Sequence, residues 1–481
     1  MKYAIAAGHE KTAQAAESIL LEGGNAVDAA IAAFLMTWVC EPCMASAGGG
    51  GFAQIYTTER QSILLDFFCQ TPRSKGIEAQ EFFPIEVNFG DTKEHFHIGA
   101  ASVAVPGSVA GLFALYERFG QLPLEILFAP AIQAAKEGVA INRFQHLDFK
   151  LLSPILKHQQ EGRQLFFQNG QLKEQGAIIR MPGLADYLEN LWREGARAFY
   201  DGEIATKIEA QQKTQGGYLT REDLLHYSVN WQTPSRVQMG DRIVLCNPAP
   251  HPGGQILRKT LETLAQTSDK EVDEVILGPT LAQAFIHVHR PSPSTNDQKH
   301  GSTTHFSIVD QWGNAISLTA SNGEGSGYFI PDTDIQLNNM LGEAALLPNG
   351  FHTWPVNTRL GSMMTPSMVI DAEGHLHLVT GSSGAGRIPY AIAQVIYHNQ
   401  WRGCPLEEAV NGPRMHLAGS SLEIEPGFDP DSIHLPVGYQ TNLWSAPNLF
   451  FGGAHSVQID QANLLAVPDR RRDGVVIQKN S

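Results

Sequence analysis

The stretch GSTTHFSIVDQWGNAISLT, residues 301–319, decides how this chain is read. Two short runs with apolar residues at alternate positions flank the polar turn QWGN at 311–314, which is the pattern of a β-hairpin. Such a hairpin lays Thr319 and Ser321 alongside the start of its first strand. That start is a Thr-Thr pair, directly after RPSPSTNDQKHGS (290–302), a segment with two prolines, three serines and no apolar residue larger than proline. By composition the segment is an exposed loop, and the Thr-Thr pair a polar strand start. A second reading gives the pair chemistry. A threonine hydroxyl needs a base, and one route without a histidine uses the threonine's own α-amine, which exists only at a chain terminus. That amine titrates near 7.7–8.0 against about 10.4 for lysine, so part of it is already a proton acceptor at neutral pH. A cut between Ser302 and Thr303 puts both groups on Thr303.

Downstream, VTGSSGAGRIPYAIAQVIYH (379–398) reads as strand, Gly/Ser turn and helix. Unpaired amides at such a turn favour negative charge, bound or developing. The spacing of Gly381, Gly384 and Gly386 is not the GxGxxG of a dinucleotide loop, whereas an oxyanion hole suits it. A rival uses the same residues as a nucleophile elbow, Gly381-Ser382-Ser383-Gly384-Ala385, with Asp429 or Asp431 and His455 completing a triad. Ala385 breaks that motif, and the upstream half lacks the alternating βα pattern the rival needs.

Forty-nine acidic against 34 basic residues give a net charge of −15, which disfavours nucleic acid and anionic membrane surfaces. The N-terminal run is interrupted at Gly8–Lys11 before a signal-peptide core is complete. AVDAAIAAFLMTWV (26–39) is too short to span a bilayer and reads as a buried helix. Five cysteines, at 40, 43, 69, 246 and 404, form no disulfide framework and fit a reducing compartment, so a cytoplasmic location is expected. Cys40 and Cys43 form one lone CxxC and read as packed core thiols. HVH (287–289) and HLH (375–377) each put two imidazoles on one face of a strand, with no carboxylate or cysteine at ligand spacing; they read as structural histidines, and no metal is expected.

Elsewhere, residues 9–39 read as two helices broken at Gly23-Gly24, with Asn25 or Asp28 capping the second. SAGGGGFAQIYTTERQSILLDFF (46–68) reads as a β-hairpin opening from a side-chain-free stretch that something approaches closely. Residues 105–215 carry helical periodicity, and Thr220 with Asp223 forms a helix cap. RIVLCN (242–247) is a strand followed by a helix. The later half alternates short strands (367–374, 375–381) with helices (388–400, 406–412). The whole indicates an α+β or layered arrangement, with helices covering a largely antiparallel sheet.

The motifs GGNAVDAAIA, GGGGF, LDFF with a following TP, VPGSVAGL, YLTREDL, GSTTHFSIVDQWGNAISLT, LNN, SMMTPSMVI, GSSGAGRI, NGPRMH and PDRRRDG together resemble the γ-glutamyltransferase (γ-glutamyltranspeptidase) family of N-terminal-nucleophile hydrolases. The resemblance implies a four-layer αββα sandwich with a mainly helical region in the N-terminal half. It implies self-cleavage before Thr303, giving a large subunit 1–302 and a small subunit 303–481 that together form one domain. By motif, Thr303 is the nucleophile, Ser321 supports it, and Gly384 and Ala385 supply the oxyanion-hole amides. The substrate-binding positions fall on Phe68, Met340, Glu343, Ser362 and Met363. Phe68 stands where family members carry an arginine for the α-carboxylate of a γ-glutamyl group, and Met340 and Met363 also replace polar residues. The expected activity is γ-glutamyl transfer or glutathione hydrolysis through a threonine acyl-enzyme, on a small-molecule amide or γ-glutamyl substrate, with no cofactor. Two alternatives stay open. The same nucleophile acts on a less polar acyl amide, as in the similar cephalosporin acylases, or the chain is an unprocessed, non-catalytic homologue.

Overall fold

In the computed structural model the described residues are 1–76, 80–88, 93–267, 274–288, 302–460 and 463–480. Two antiparallel sheets lie face to face between layers of helices. The seven-stranded sheet runs in the order Asn230–Gln232, Ser62–Phe67, Gly50–Tyr56, Ala315–Ser321, Thr303–Val309, Tyr3–Ala7, Val475–Lys479. The six-stranded sheet runs Ser235–Met239, Arg242–Cys246, Ser367–Asp371, Leu376–Thr380, Ser456–Asp460, Asn463–Val467.

Three apolar cores define the four layers. Helices Glu10–Leu21, Ala26–Cys40 and Ser108–Phe119 pack on the outer face of the first sheet, with Leu124–Glu137 packed behind them. Helices Pro252–Thr267, Glu274–Val288 and Ile388–Ile396 cover the second. A smaller core between the sheets sets Ala4, Ala6, Val309 and Ala315 against Leu245, Met368, Ile370 and Val379. This is the expected αββα sandwich, and most of the helical region between 105 and 215 belongs to its first outer layer.

Helix Ala26–Cys40 is buried along all 15 residues, which is why it carries no polar face. Asn25 and Asp28 close its start as a reciprocal capping box. The Asp310 carboxylate also accepts the Ala26 amide at 2.9 Å, while its other oxygen accepts from Trp312 and Asn314. One side chain thus closes the 311–314 turn and fixes the central helix to the hairpin it covers. In that hairpin Thr303 pairs with Ser321 and His305 with Thr319, as the sequence predicts.

Several details differ from the sequence reading. Tyr3–Ala7, read only for the absence of an export signal, is an interior strand between Thr303–Val309 and Val475–Lys479. Residues 48–51 are indeed closely approached, but by the chain itself: a Cβ on Gly49 would lie 2.5 Å from the Ser321 carbonyl oxygen and one on Gly51 2.4 Å from that of Thr319. His287 lies on helix Glu274–Val288 rather than a strand, and His289 falls outside the described residues, as does the linker 290–301. Asp371 is a carboxylate the reading of HLH missed. It bonds His375 Nδ1 at 2.9 Å and His377 Nε2 at 3.2 Å, and with Glu373 and His375 it brings three potential ligand atoms within 4.8 Å. The guanidinium of Arg60 occupies the other ring nitrogen of His375 at 3.0 Å. All five cysteines are free, and burial pushes the Cys40 and Cys43 thiols well above their ordinary range.

Candidate active site

Residues 303–309 alternate in direction because they form a strand. Phe306 and Ile308 join the core under the helices, so Thr304 points that way too, and Thr303, His305 and Ser307 face the second sheet. His305 is buried between Thr319 Oγ1 at 2.9 Å and Ser307 Oγ at 3.0 Å. Ser307 donates its own proton to the His455 carbonyl at 2.9 Å, so His305 Nε2 is the donor and Nδ1 accepts from Thr319. Burial holds this imidazole neutral, well below its ordinary range. The Cα of Gly381 rests on its ring, where a Cβ would come within 2.3 Å. The strand carrying Thr303 and the turn beginning at Gly381 are thereby locked together.

Around Thr303 the polar contacts converge on the preceding peptide. Ser321 Oγ donates to the Ser302 carbonyl oxygen at 2.8 Å and accepts from the Gly323 amide at 3.0 Å. The Ser302 amide donates to Glu324 at 3.2 Å. The Ser302–Thr303 bond is thus held on both sides, its carbonyl polarised by a hydroxyl and the Thr303 side chain one residue on.

Thr303 opens onto a slot of about 30 Å³, far below the roughly 300–1,000 Å³ of a pocket for a drug-sized ligand. Phe68, Ser321, Met340, Glu343, Ser362, Met363 and Ala385 line it, so widely separated segments singled out in the sequence come together here. Gly323, Ala345, Leu346, Met364, Gly386 and Ile388 complete the wall; the sequence reading gave none of them a site role. Gly384 stands just behind, where a Cβ would lie 2.9 Å from the Gly452 Cα. Gly384 and Ala385 have φ of 111° and 48°. An alanine in the left-handed region costs about 1 kcal/mol or more, and such strain concentrates where backbone groups must be aimed.

No lysine, arginine or histidine lines the slot among the described residues. Phe68 stacks on Phe52 with ring centroids 5.7 Å apart. Arg359 is engaged elsewhere: it donates to the Phe68 and Ser228 carbonyls and to the Tyr227 hydroxyl, and lies 3.7 Å from Asp66. The Arg73 side chain is exposed. Among the described residues the slot's one carboxyl is that of Glu343, whose Oε1 has no hydrogen-bond partner among them and whose acid burial pushes up to about 8.

On the opposite side of the strand, Glu41 caps helix Ala26–Cys40. Its oxygens accept from Thr304 at 2.8 Å and Thr12 at 3.0 Å. Burial pushes Glu41 up to about 7, against the pull of these hydroxyls and of Arg472. Sequence reading missed this residue.

The serine-triad rival fails on geometry. Ser382 Oγ donates to the Ser383 carbonyl and Ser383 Oγ to that of Gly453, while His455 Nδ1 accepts the Asp469 amide. Asp429 caps a short helical turn through the Asp431 amide. No Ser–His–Asp relay forms.

The family model described as gamma-glutamyltranspeptidase matches residues 12–290 and 279–479. The chain is 27% identical to the glutathione hydrolase proenzyme of Escherichia coli (strain K12), over 90% of this chain and 84% of that protein. Its fold matches the crystal structure of a cephalosporin acylase from Bacillus halodurans with a TM-score of 0.84 at 24% identity, over 99% of this chain and 95% of that one. It also matches the γ-glutamyltranspeptidase of Helicobacter pylori with a TM-score of 0.50 at 28% identity, over 57% of this chain and 79% of that one. With a family model matched along nearly its whole length, and the Thr303 strand and the Ala385 turn meeting at one slot, this chain belongs to the γ-glutamyltranspeptidase family.

Proposed function

We propose that the chain is a self-processing acyltransferase and amide hydrolase of the γ-glutamyl type, with Thr303 as its nucleophile. The observation that carries this reading is the 2.8 Å hydrogen bond from Ser321 Oγ to the carbonyl oxygen of Ser302. In the first stage Thr303 Oγ attacks the Ser302 carbonyl carbon, and the Ser321 hydroxyl stabilises the oxygen as it gains charge. The C–N bond then breaks, the hydroxyl proton passes to the freed nitrogen, and an ester joins Ser302 to Thr303 Oγ. Water hydrolyses that ester, leaving a carboxylate on Ser302 and a free amine and hydroxyl on Thr303. In turnover the amine takes the Thr303 hydroxyl proton, Oγ attacks the substrate carbonyl, and the leaving amine carries the proton away. Water or a second amine then receives the acyl group. The turn at Gly384 and Ala385 supplies amides for the tetrahedral oxyanion. A narrow slot beside an uncut Ser302–Thr303 bond fits a precursor. The word proenzyme in the name of the Escherichia coli relative points the same way. Five unpaired cysteines support a reducing, cytoplasmic location.

Intact mass spectrometry tests the reading. The purified wild type is expected as two polypeptides, 1–302 and 303–481, and Thr303→Ala as one uncut, inactive chain. A wild type that stays whole, or a Thr303→Ala variant that still matures and turns over, overturns it.

The absence of a cation in the slot favours a second reading of the acyl group. An arginine–carboxylate hydrogen bond is worth about 1.5–3 kcal/mol, or roughly 10- to 150-fold in affinity. Without it, an acyl group lacking the α-carboxylate competes on better terms beside Phe68, Met340 and Met363. Release from γ-glutamyl and plain acyl anilides separates the two: a kcat/KM higher for the γ-glutamyl anilide retains glutamyl specificity, and the reverse order assigns the less polar donor.

A further inference from the structure

The strand that begins at Thr303 is only half supported at its start. Its ladder with Tyr3–Ala7 ends at the Ala7–Phe306 pair, because the chain turns away at Gly8 into helix Glu10–Leu21. Thr303, Thr304 and His305 therefore have a ladder partner on the Ser321 side alone. On the helix-facing side of that start lies Glu41, 4% exposed, which accepts the Thr304 hydroxyl at 2.8 Å and the Thr12 hydroxyl at 3.0 Å. Room for it is made by Gly8, where a Cβ would lie 2.8 Å from Glu41 Oε1. A buried carboxylate at a helix C-terminus is disfavoured by desolvation and by the helix dipole. Stability alone gives no reason to keep it there.

We propose that Glu41 is a positioning residue for the reaction: by holding Thr304 it replaces the missing ladder and keeps the newly made terminus at Thr303 aligned with Ser321 and the slot. This rests on the proposed self-cleavage. Before the cut, the strand start is tied through Ser302 to Ser321 and Glu324. After it, that tether is no longer covalent, and strand ends fray unless tied down. The hydroxyl of the second residue then becomes the nearest side-chain anchor behind the nucleophile.

A double-mutant cycle tests this. Thr304→Val keeps the shape and removes the donor; Glu41→Leu removes the acceptor; Thr304→Ser restores the donor. Each protein is first checked by intact mass, so that a wild type that never cleaves is recognised as failure of the functional reading. In the cleaved proteins, Thr304→Val and Glu41→Leu are each expected to lower kcat by about 10- to 100-fold with KM changed less than about threefold, since misplacement by 1 Å costs on that order. Amide exchange at 304–306 is expected to rise about tenfold, with the rest of the strand unchanged. The double variant is expected to be no worse than Glu41→Leu alone, because Thr304→Val then has no contact with Glu41 left to remove, and Thr304→Ser to recover most of kcat. If a single variant does not fold, the apolar Thr304→Val/Glu41→Leu pair carries the measurement. Wild-type kcat and exchange in Thr304→Val, or losses that add in the double variant, overturn the proposal.

Discussion

Glu343 is the one acidic or basic side chain among the described residues that line the slot, and burial there disfavours its charged form. Burial pushes its acid up to about 8, and pushes Glu41 and Asp148 up to about 7. A carboxyl raised in the folded state stabilises it fully below the unfolded value and loses that contribution as the pH climbs to the folded one. Buried His9, His398 and His455, all lowered to about 4, act in the opposite sense, but only up to their ordinary value of 6.5. Above that the carboxyls dominate. The uncut Thr303→Ala precursor is therefore expected to lose stability between pH 6.5 and 8, and Glu343→Gln to remove on the order of 1–2 kcal/mol of the loss. Urea midpoints at the two pH values check this, and an unchanged slope in Glu343→Gln contradicts it. Legibility at this scale was uneven. Thr303 and Ser321 could be paired on paper because one short hairpin contains both. Glu41 could not, since its partners lie 29 and 263 residues away and the two cysteines flanking it drew attention to themselves. Nor could the fate of Arg359, which Tyr227 and Ser228 hold from a distant loop.

Among the elements, the glycine run 48–51 shows how a strand can be required to carry no side chains. Gly49 lies against the backbone of Ser321, the residue whose hydroxyl reaches the Ser302 carbonyl. The 2.5 Å approach that a Cβ would make there is to backbone, which cannot swing aside as a flexible side chain does. Gly49→Ala is expected to cost about 1–3 kcal/mol by overpacking and to slow self-cleavage out of proportion to that loss, because the displaced strand is the one that carries Ser321. Urea unfolding and the time course of fragment appearance by intact mass give the two numbers; cleavage at the wild-type rate with the stability lost separates strand position from chemistry. The sequence announces such a run plainly, though not whether ligand or protein fills the space. The strand Tyr3–Ala7 is the opposite case. YAIAA is short, alanine-rich and buried on both faces, so it lacks the alternation by which half-exposed strands are recognised. Its two neighbouring strands make it a strand, and both lie more than 290 residues downstream.

At the scale of the molecule, the proposed cut falls between segments whose strands are interleaved. Thr303–Val309 and Ala315–Ser321 sit between Tyr3–Ala7 on one side and Gly50–Tyr56 on the other. In the second sheet Arg242–Cys246, from the first segment, pairs with Ser367–Asp371 from the second. Separating the fragments would open backbone ladders in both sheets and expose the core between them, because each fragment holds only part of either sheet. Unpaired interior strands and uncovered apolar faces are what a folded chain avoids most strongly. Cleavage is therefore expected to leave one particle: light scattering on a sizing column reads the mass of the whole chain, while denaturing electrophoresis reads two bands. For the same reason, residues 1–302 and 303–481 expressed apart are expected not to fold, whereas the cut protein unfolds in a single cooperative transition. Fragments that separate in native buffer, or a small subunit that folds alone, would mean that the sandwich is built from two independent halves, and the shared sheets leave no room for that arrangement.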